Sequence, residues 1–412
     1  MAAPSATIAY DRITPRVMWQ VVIVSAVAEF MIFGIRLSYQ LFQSQFVNVE
    51  GWSSQESAGI YSLSMLVFGI LSTPSGMLLD RFGPRIVFSA GAALLAAGLF
   101  LSSMADTPAQ LRLTYGLIGG AGLSVIGLGP IAGNIATFVP PELRGRAIGM
   151  AFAGTGVGTL VFIPFYTWVM AQFGWRNTFL FQAALSIALI VPLLALGLKN
   201  PTHVERTEHE GGNVLAGLGA LLRIPLFWVL IVVGLTAMGP LRSLTVHQFA
   251  YLEEIGFQRS TAAGYIGLAG LMTFGAYLMW GWFSDRFGRA LAFTLGAIAL
   301  IGAVVLLFVL RQVQLAPLLL LYAVLYGLGE GTRSSQTTAL ASDIFQSRGP
   351  GMVNGVIGGM FGLGAALGPW VVGFLRDETG SYTSGLFVVV GMITVSIVGF
   401  IIVAANRQTV KA

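Results

Sequence analysis

The chain has 412 residues, of which 56% are hydrophobic and only 9% are charged, and its formal net charge is +5. Soluble domains carry roughly 25% charged residues, so this composition excludes a water-soluble globular domain. Cysteine is absent, which excludes disulfides and thiolate metal sites.

Apolar runs of about 20 residues, each long enough to cross a bilayer, follow one another along the chain. We number twelve of them as spans 1 to 12: 17–43, 57–79, 86–105, 110–139, 146–171, 177–198, 226–251, 261–283, 291–311, 315–342, 352–375 and 382–405. They predict an all-α polytopic protein embedded in a lipid bilayer. The Lys and Arg residues of the loops concentrate on the side that carries the N-terminus, so we expect both termini in the cytoplasm. This topology accounts for the positive charge without a nucleic-acid partner.

One long polar segment, Leu198 to Asn213, separates spans 6 and 7. We therefore predict a six-helix bundle over 1–197, a cytoplasmic linker over 198–225 and a second six-helix bundle over 226–412. The halves repeat at an offset of about 205 residues, because GMLLDRFGPR follows span 2 and GWFSDRFGRA follows span 8. Two parallel repeats related by an axis along the membrane normal are typical of one large class of transporters.

GMLLDRFGPR resembles the signature, roughly G-x-L-x-D-R-x-G-R, of the major facilitator superfamily, and GWFSDRFGRA resembles its second copy. The resemblance implies two six-helix repeats around a central cavity that spans 1, 4, 7 and 10 line. It also implies that the two signature loops act in gating. The residues concerned are Asp80, Arg81 and Arg85 in the first half and Asp285, Arg286 and Arg289 in the second. A contact of such a carboxylate with a neighbouring helix would form in one conformation and be lost in the other.

Ionised side chains inside a membrane are costly, roughly 2.5–3.5 kcal/mol at the centre on insertion scales, and usually mark a functional pathway. Arginines fall within the spans at Arg36, Arg242 and Arg333. Shifting Arg36 by about 205 residues lands beside Arg242, so spans 1 and 7 carry an arginine at nearly the same height. Because a guanidinium fork matches a carboxylate in two hydrogen bonds, we predict that Arg36 and Arg242 clamp an anion from opposite halves.

We predict further substrate contacts from Arg333, from the matching Tyr115 and Tyr326 of spans 4 and 10, and from Tyr39, one turn beyond Arg36. Packing of the tyrosines inside the spans is the alternative for these residues.

The titratable groups Glu330, Glu29 and His247 also fall within the spans, and we predict that they carry the coupling proton. Alternatives remain open for each of them. Glu330 lies three residues before Arg333, so the two can form a local pair. Glu29 can make a structural hydrogen bond to another helix, and His247 can be an interfacial or gate residue.

Within the superfamily, GIRLSYQLFQSQF, HQFAYLEEIGF and TYGLIGGAGLSVIGLGP resemble the bacterial monocarboxylate porters and oxalate/formate antiporters. The resemblance implies a small organic anion, a mono- or dicarboxylate, as substrate. Monocarboxylate porters usually carry a basic residue on span 1, which Arg36 matches. The chain departs from the group elsewhere: span 8 has no charge between Thr261 and Ser284, and span 11 has none between Arg348 and Arg376.

We therefore expect a monomeric secondary transporter of the cell (inner) membrane that moves a small organic anion with protons by alternating access, without cofactor or metal. An anion exchanger and a nitrate- or organophosphate-type porter remain alternatives. A drug–proton antiporter fits less well, because intramembrane arginines would repel cationic drugs. A nontransporting sensor would not need charges in the cavity. No P-loop, nucleophile elbow or metal-spaced ligand set in the sequence indicates an enzyme.

Overall fold

The structure, a computed structural model, describes residues 14–200, 219–345 and 350–406, and these residues are almost entirely helical. The first half contains α1 (Pro15–Leu37 and Tyr39–Asn48), α2 (Ser54–Phe82), α3 (Pro84–Ser103), α4 (Pro108–Leu111, Arg112–Gly119, Gly120–Val125 and Leu128–Phe138), and α5 and α6, which run through Pro141–Leu185, Ser186–Ile190 and Val191–Gly197. The second half contains α7 (Pro225–Glu254), α8 (Arg259–Phe287), α9 (Arg289–Gln312), α10 (Ala316–Ile344), α11 (Pro350–Thr379) and α12 (Thr383–Ala405).

Nine segments of the described residues are long and apolar enough to cross a membrane. One of them, Gly149–Gly197, contains most of α5 and all of α6, which are separated at Gly174 by a non-helical backbone (φ 79°, ψ 169°). The helices α2 and α10, each 29 residues long, are not among these nine. The predicted twelve-helix fold class is confirmed. The boundaries of the two bundles remain a prediction, because most of the proposed linker lies outside the described residues.

The internal repeat is visible in the backbone. Glycines with positive φ occur in pairs about 205 residues apart: Gly51 and Gly256, Gly83 and Gly288, and Gly174 and Gly380. The pair Gly83 and Gly288, which lies within the two signature motifs, ends α2 and α8. Left-handed backbone at this position is available to glycine at little cost, so both halves make the same tight turn at this loop.

The helices that carry the two matching arginines are both irregular near them. The two segments of α1 meet at Ser38, whose hydroxyl donates to Ile35 O at 2.7 Å and accepts from Gln182 Nε2 of α6 at 2.7 Å. In α7, Pro240 lies inside the helix, where it removes a backbone donor and bends the chain. Arg36 and Arg242 thus lie two residues from a break and a proline, respectively.

The two halves meet along α2 against α11, α5 against α8, and the second segment of α1 against α7. Small residues permit these close approaches: a Cβ at Gly156 would lie 2.6 Å from Gly270 O, and Gly69 faces Gly362. Glycine-lined faces of this kind are common where membrane helices pack backbone to backbone. The glycines of α5 also serve packing within a half, since Gly154 and Gly158 face α1.

We call the end of the bundle that carries the α1–α2, α7–α8 and α11–α12 loops the distal face. The opposite end, with the α2–α3 and α8–α9 loops and the described chain ends Thr14 and Asn406, is the proximal face.

Candidate functional site

Arg36 lies on α1 with only 8% of its surface exposed, and no described acid pairs with it. Its Nη2 donates to Met65 Sδ at 3.1 Å, and its Nε has no hydrogen-bond partner among the described residues. The guanidinium lies over the rings of Phe33 and Phe68, 5.4 and 4.9 Å from their centroids. Thioether sulfur is a weak acceptor and aromatic rings attract a cation without neutralising it. Arg36 therefore has no ion-paired acid among the described residues, and the acid that interacts with it electrostatically, Glu29, lies two turns away on the same helix.

Arg242, its counterpart on α7, has an acid partner. Arg242 Nη2 lies 3.5 Å from Glu330 Oε1 of α10, and the two side chains are only 12% and 13% exposed. Glu330 Oε2 also accepts a hydrogen bond from Thr273 Oγ1 of α8 at 3.2 Å. Glu330 therefore pairs with Arg242 of α7, in the same half, and not with Arg333. The local Glu330–Arg333 pair considered from the sequence does not form.

The sequence reasoning missed Tyr61 of α2, which lies near both arginines. Its side chain is 1% exposed, and its hydroxyl has no hydrogen-bond partner among the described residues. Tyr61, Met65 and Phe68 are four and three residues apart and so share one face of α2. That spacing is the signal in the sequence that could have identified this face.

The predicted tyrosines surround the same region. Tyr39 packs against Tyr61 and Tyr115, with ring centroids 5.4 and 4.9 Å apart, and its hydroxyl donates to Ser57 O at 2.6 Å. Tyr115 on α4 is buried with a hydroxyl that lacks a described partner. In the second half, the hydroxyl of Tyr326 lies 2.9 Å from Thr245 Oγ1 of α7.

Arg333 lies apart from this group. It is fully buried, its guanidinium stacks 5.0 Å from the centre of the Phe293 ring of α9, and Phe293 in turn stacks on Phe400 of α12. Its three side-chain nitrogens have no hydrogen-bond partner among the described residues. Its contact with Phe293 of α9 places the predicted third cation inside the second half and away from the Arg36–Arg242 region.

The two remaining titratable candidates occupy different places. Glu29 is fully buried on α1, two turns before Arg36, and neither carboxylate oxygen has a described hydrogen-bond partner. His247 lies toward the distal end of α7, where its Nε2 is 2.9 Å from Pro369 O of α11 and its ring is 5.4 Å from that of Tyr382. A small pocket adjoins His247 within the second half, bordered by Ser243, Gln248, Tyr251 and Tyr382.

The signature loops lie at the proximal face. Arg81 and Arg286 are exposed. Each guanidinium lies over an aromatic ring of its own signature motif: that of Arg81 is 5.1 Å from the Phe82 ring centroid, and that of Arg286 is 5.9 Å from the Trp282 ring centroid. Asp285 and Arg85 are also exposed. The side chain of Asp80 lies outside the described part of the chain.

Arg289, at the start of α9, pairs with Asp343 at 2.5 Å, which is a contact within the second half. Among the described residues, these charged side chains of the proximal face thus make contacts within one half only.

The geometry brings together two guanidinium groups, one carboxylate and several tyrosine hydroxyls at the boundary between the halves. Guanidinium and phenol donors suit an anionic group. Among the residues the structure describes, no set of three His, Asp or Glu side chains is placed to hold a metal ion.

A family model described as the Major Facilitator Superfamily matches residues 17–314 and 276–411. The chain is 27% identical to rat monocarboxylate transporter 13 over 90% of this chain and 85% of that protein. It is 28% identical to human monocarboxylate transporter 11, over 82% and 75% of the two chains. It is 26% identical to the oxalate:formate antiporter of Oxalobacter formigenes, over 66% and 64%.

Solved structures share the fold. The crystal structure of the nucleoside transporter NupG superimposes with a TM-score of 0.77, at 16% identity, over 94% of this chain and 98% of that chain. A bacterial homolog of the human lysosomal transporter Spinster, in an inward-facing conformation, gives a TM-score of 0.70 at 17% identity over 96% and 97%. At these identities the likeness establishes the arrangement of the helices and nothing about cargo.

Proposed function

Because the chain belongs to the Major Facilitator Superfamily of membrane transporters, we propose that it carries a small organic anion, a mono- or dicarboxylate, by alternating access. Its relatives are transporters and not enzymes. The cargo, its coupling to protons and the location in the cell (inner) membrane with cytoplasmic termini are parts of this proposal.

The contrast between Arg36 and Arg242 carries the proposal. Both arginines occupy equivalent helices, and Tyr61 is close enough to interact with both. Of the two arginines, Arg242 alone has a carboxylate within salt-bridge distance among the described residues, and Arg36 has an unused hydrogen-bond donor. Burying a charge without a partner is costly, and an anionic cargo at the boundary between the halves would supply a partner for Arg36. Cargo bound by both arginines would draw the halves together, which couples binding to alternating access.

Tyr61, Tyr115 and Tyr39 complete the proposed binding site on the side of the first half, and Tyr326 does so on the side of the second. We leave Arg333 out of this site because its guanidinium packs against Phe293.

Proton coupling is proposed to run through Glu330, since its carboxylate binds a cation that the cargo also needs. When the anion binds Arg242, Glu330 loses its partner, and a proton is the simplest replacement. Glu29 is a second candidate, because an ionised carboxylate buried without a hydrogen bond is strongly disfavoured. His247 is a third and weaker candidate, because its Nε2 is engaged by Pro369 O within the second half.

Gating at the proximal face is proposed for Asp80, Arg81 and Arg85 with Asp285, Arg286 and Arg289. The halves are joined at the distal face, so these loops would come into contact when the transporter closes on the proximal side. In the proposed orientation this side is cytoplasmic.

Exchange of two anions is the second candidate mechanism, and the similarity to an oxalate:formate antiporter favours it. Proteoliposomes loaded with buffer or with an unlabelled anion distinguish the two. Symport predicts uptake of a labelled carboxylate into buffer-loaded vesicles that a proton gradient accelerates. Exchange predicts uptake only into vesicles that already contain an anion. If no mono- or dicarboxylate in a panel is transported under either condition, the proposed cargo class is wrong.

A further inference from the structure

A set of hydrogen bonds joins the two halves at the distal face. Arg259 of α8 donates from Nη1 to Gln45 Oε1 of α1 at 3.1 Å, and Gln248 Nε2 of α7 donates to Gln40 Oε1 at 3.1 Å. Ser44 of α1 donates to the Glu253 carboxylate of α7. These contacts join α1 to α7 and α8, and a stronger contact at the same face joins α2 to α11.

The stronger contact is made by Asp377, near the end of α11. Its Oδ1 accepts from the backbone N–H of Ser54 at 2.8 Å, and its Oδ2 accepts from the backbone N–H of Gln55 at 2.7 Å. Ser54 is the first residue of α2. Hydrogen bonds to a charged acceptor are about twice as strong as neutral ones, and the start of a helix attracts negative charge.

The donors involved have no partner inside their own helix, because the first N–H groups of a helix point outward. Ser53, the residue before α2, caps the next donor by accepting from Glu56 N at 3.0 Å. The first N–H groups of α2 are thus satisfied by two different halves of the molecule: Ser53 from its own half and Asp377 from the other. If the halves separated, the backbone N–H groups of Ser54 and Gln55 would lose Asp377 as their acceptor.

The internal repeat shows that the fold itself does not require this acid. Asp377 lies three residues before the positive-φ glycine Gly380, and the equivalent position before Gly174 is Ala171. The contact therefore exists on one side of the pseudo-symmetry axis only.

We propose that Asp377 is the latch that holds the distal face closed, by capping α2 from the opposite half. The latch acts on the equilibrium between the two open states of the transporter and touches no cargo. This inference goes beyond the proposed function, and it holds whichever anion is carried. Arg376, whose Nη2 lies 3.6 Å from Glu254 Oε2 and whose Nη1 lies 3.8 Å from Asp377 Oδ1, positions the latch from within the second half.

Spin-label distance measurements test the latch without any cargo, and the absence of native cysteine makes each introduced label unique. One pair, Met104→Cys with Val313→Cys, reports on the distal face. The other, Ile86→Cys with Leu291→Cys, reports on the proximal face. All four native side chains are exposed. Asp377→Ala removes the acceptor, and Ser54→Pro removes one donor at the first helical position, where proline is well tolerated.

Both variants should raise the population with a long distal distance by about tenfold or more, on the usual strength of hydrogen bonds to charged groups. The long proximal distances should decline in parallel. Asp106→Asn is the matched control, since Asp106 pairs with Arg176 at 2.7 Å within the first half, and it should leave both distributions unchanged. Unchanged distal distances in both Asp377→Ala and Ser54→Pro, in protein that elutes as a single folded species, would overturn the proposal. So would an equal shift in the Asp106→Asn control.

Discussion

Arg36 and Arg242 occupy equivalent places in a repeated architecture, yet their surroundings differ. Arg242 lies 3.5 Å from the carboxylate of Glu330. Arg36 is bordered by a thioether and two aromatic rings, and it has no acid partner among the described residues. The repeat thus places an arginine at the same position in both halves but pairs only one of them with an acid among the described residues. The first half has an arginine without an ion-paired acid, and the second half has an ion pair that cargo or a proton can rearrange.

The largest effect should follow from removing the arginine without an ion-paired acid. Arg36→Gln should weaken binding of the transported anion by about ten- to a hundredfold, because hydrogen bonds to charged groups contribute about 1.5–3 kcal/mol. Arg36→Lys should recover part of the affinity, since lysine keeps the charge but loses the two-pronged geometry. Isothermal titration in detergent measures both. Arg176→Gln, which removes an arginine of the distal surface, is the control. Equal affinity in all four proteins would contradict the assignment.

The ion pair of the second half should behave differently. Glu330→Gln leaves Arg242 without its acid, so anion binding should persist while the site for the coupling proton is lost. Uptake driven by a proton gradient should fall to the level seen without a gradient, and exchange of labelled for unlabelled anion should continue. Glu29→Gln tested in parallel shows whether the coupling proton is carried on α1 instead. If both variants retain gradient-driven uptake, proton coupling through these carboxylates is wrong.

The smallest effect should come from the residue between the arginines. Tyr61→Phe removes one neutral hydroxyl and keeps the ring that packs on Tyr39. A neutral hydrogen bond contributes about 0.5–1.5 kcal/mol, so affinity should fall about two- to tenfold with little change in melting temperature. Tyr166→Phe is a suitable control, because its hydroxyl is also buried without a described partner but lies on α5. A larger loss in the control than in Tyr61→Phe would exclude a specific role for Tyr61.

The fold could be predicted from the sequence because each of its signals is local or periodic. Apolar runs set the helices, and the recurrence of the Asp-Arg-Phe-Gly motif at residues 80 and 285 revealed the repeat. The same offset predicted that Arg36 and Arg242 are equivalent. These inferences need only spacing along the chain.

The pairing of charges could not be predicted in the same way. Sequence spacing placed Arg333 three residues from Glu330 and suggested a local pair, but the packing of α10 directs Glu330 toward α7 and Arg333 toward Phe293 of α9. The direction in which each side chain faces depends on how the helix is rotated against its neighbours. The sequence of one helix alone does not determine that rotation. Tyr61 was missed for the same reason: its importance comes from the approach of α2 to helices of both halves.

A substitution at Met65 most directly tests whether Arg36 binds cargo because it lacks an acid partner. Met65 Sδ lies 3.1 Å from Arg36 Nη2, so Met65→Glu would give the first half the ion pair that the second half already has. Met65→Gln is the matched control of similar size without charge. We expect Met65→Glu to bind the anion about tenfold or more weakly than Met65→Gln. Equal affinity of the two variants, both folded, would show that the lack of an acid partner at Arg36 is not what binds the cargo.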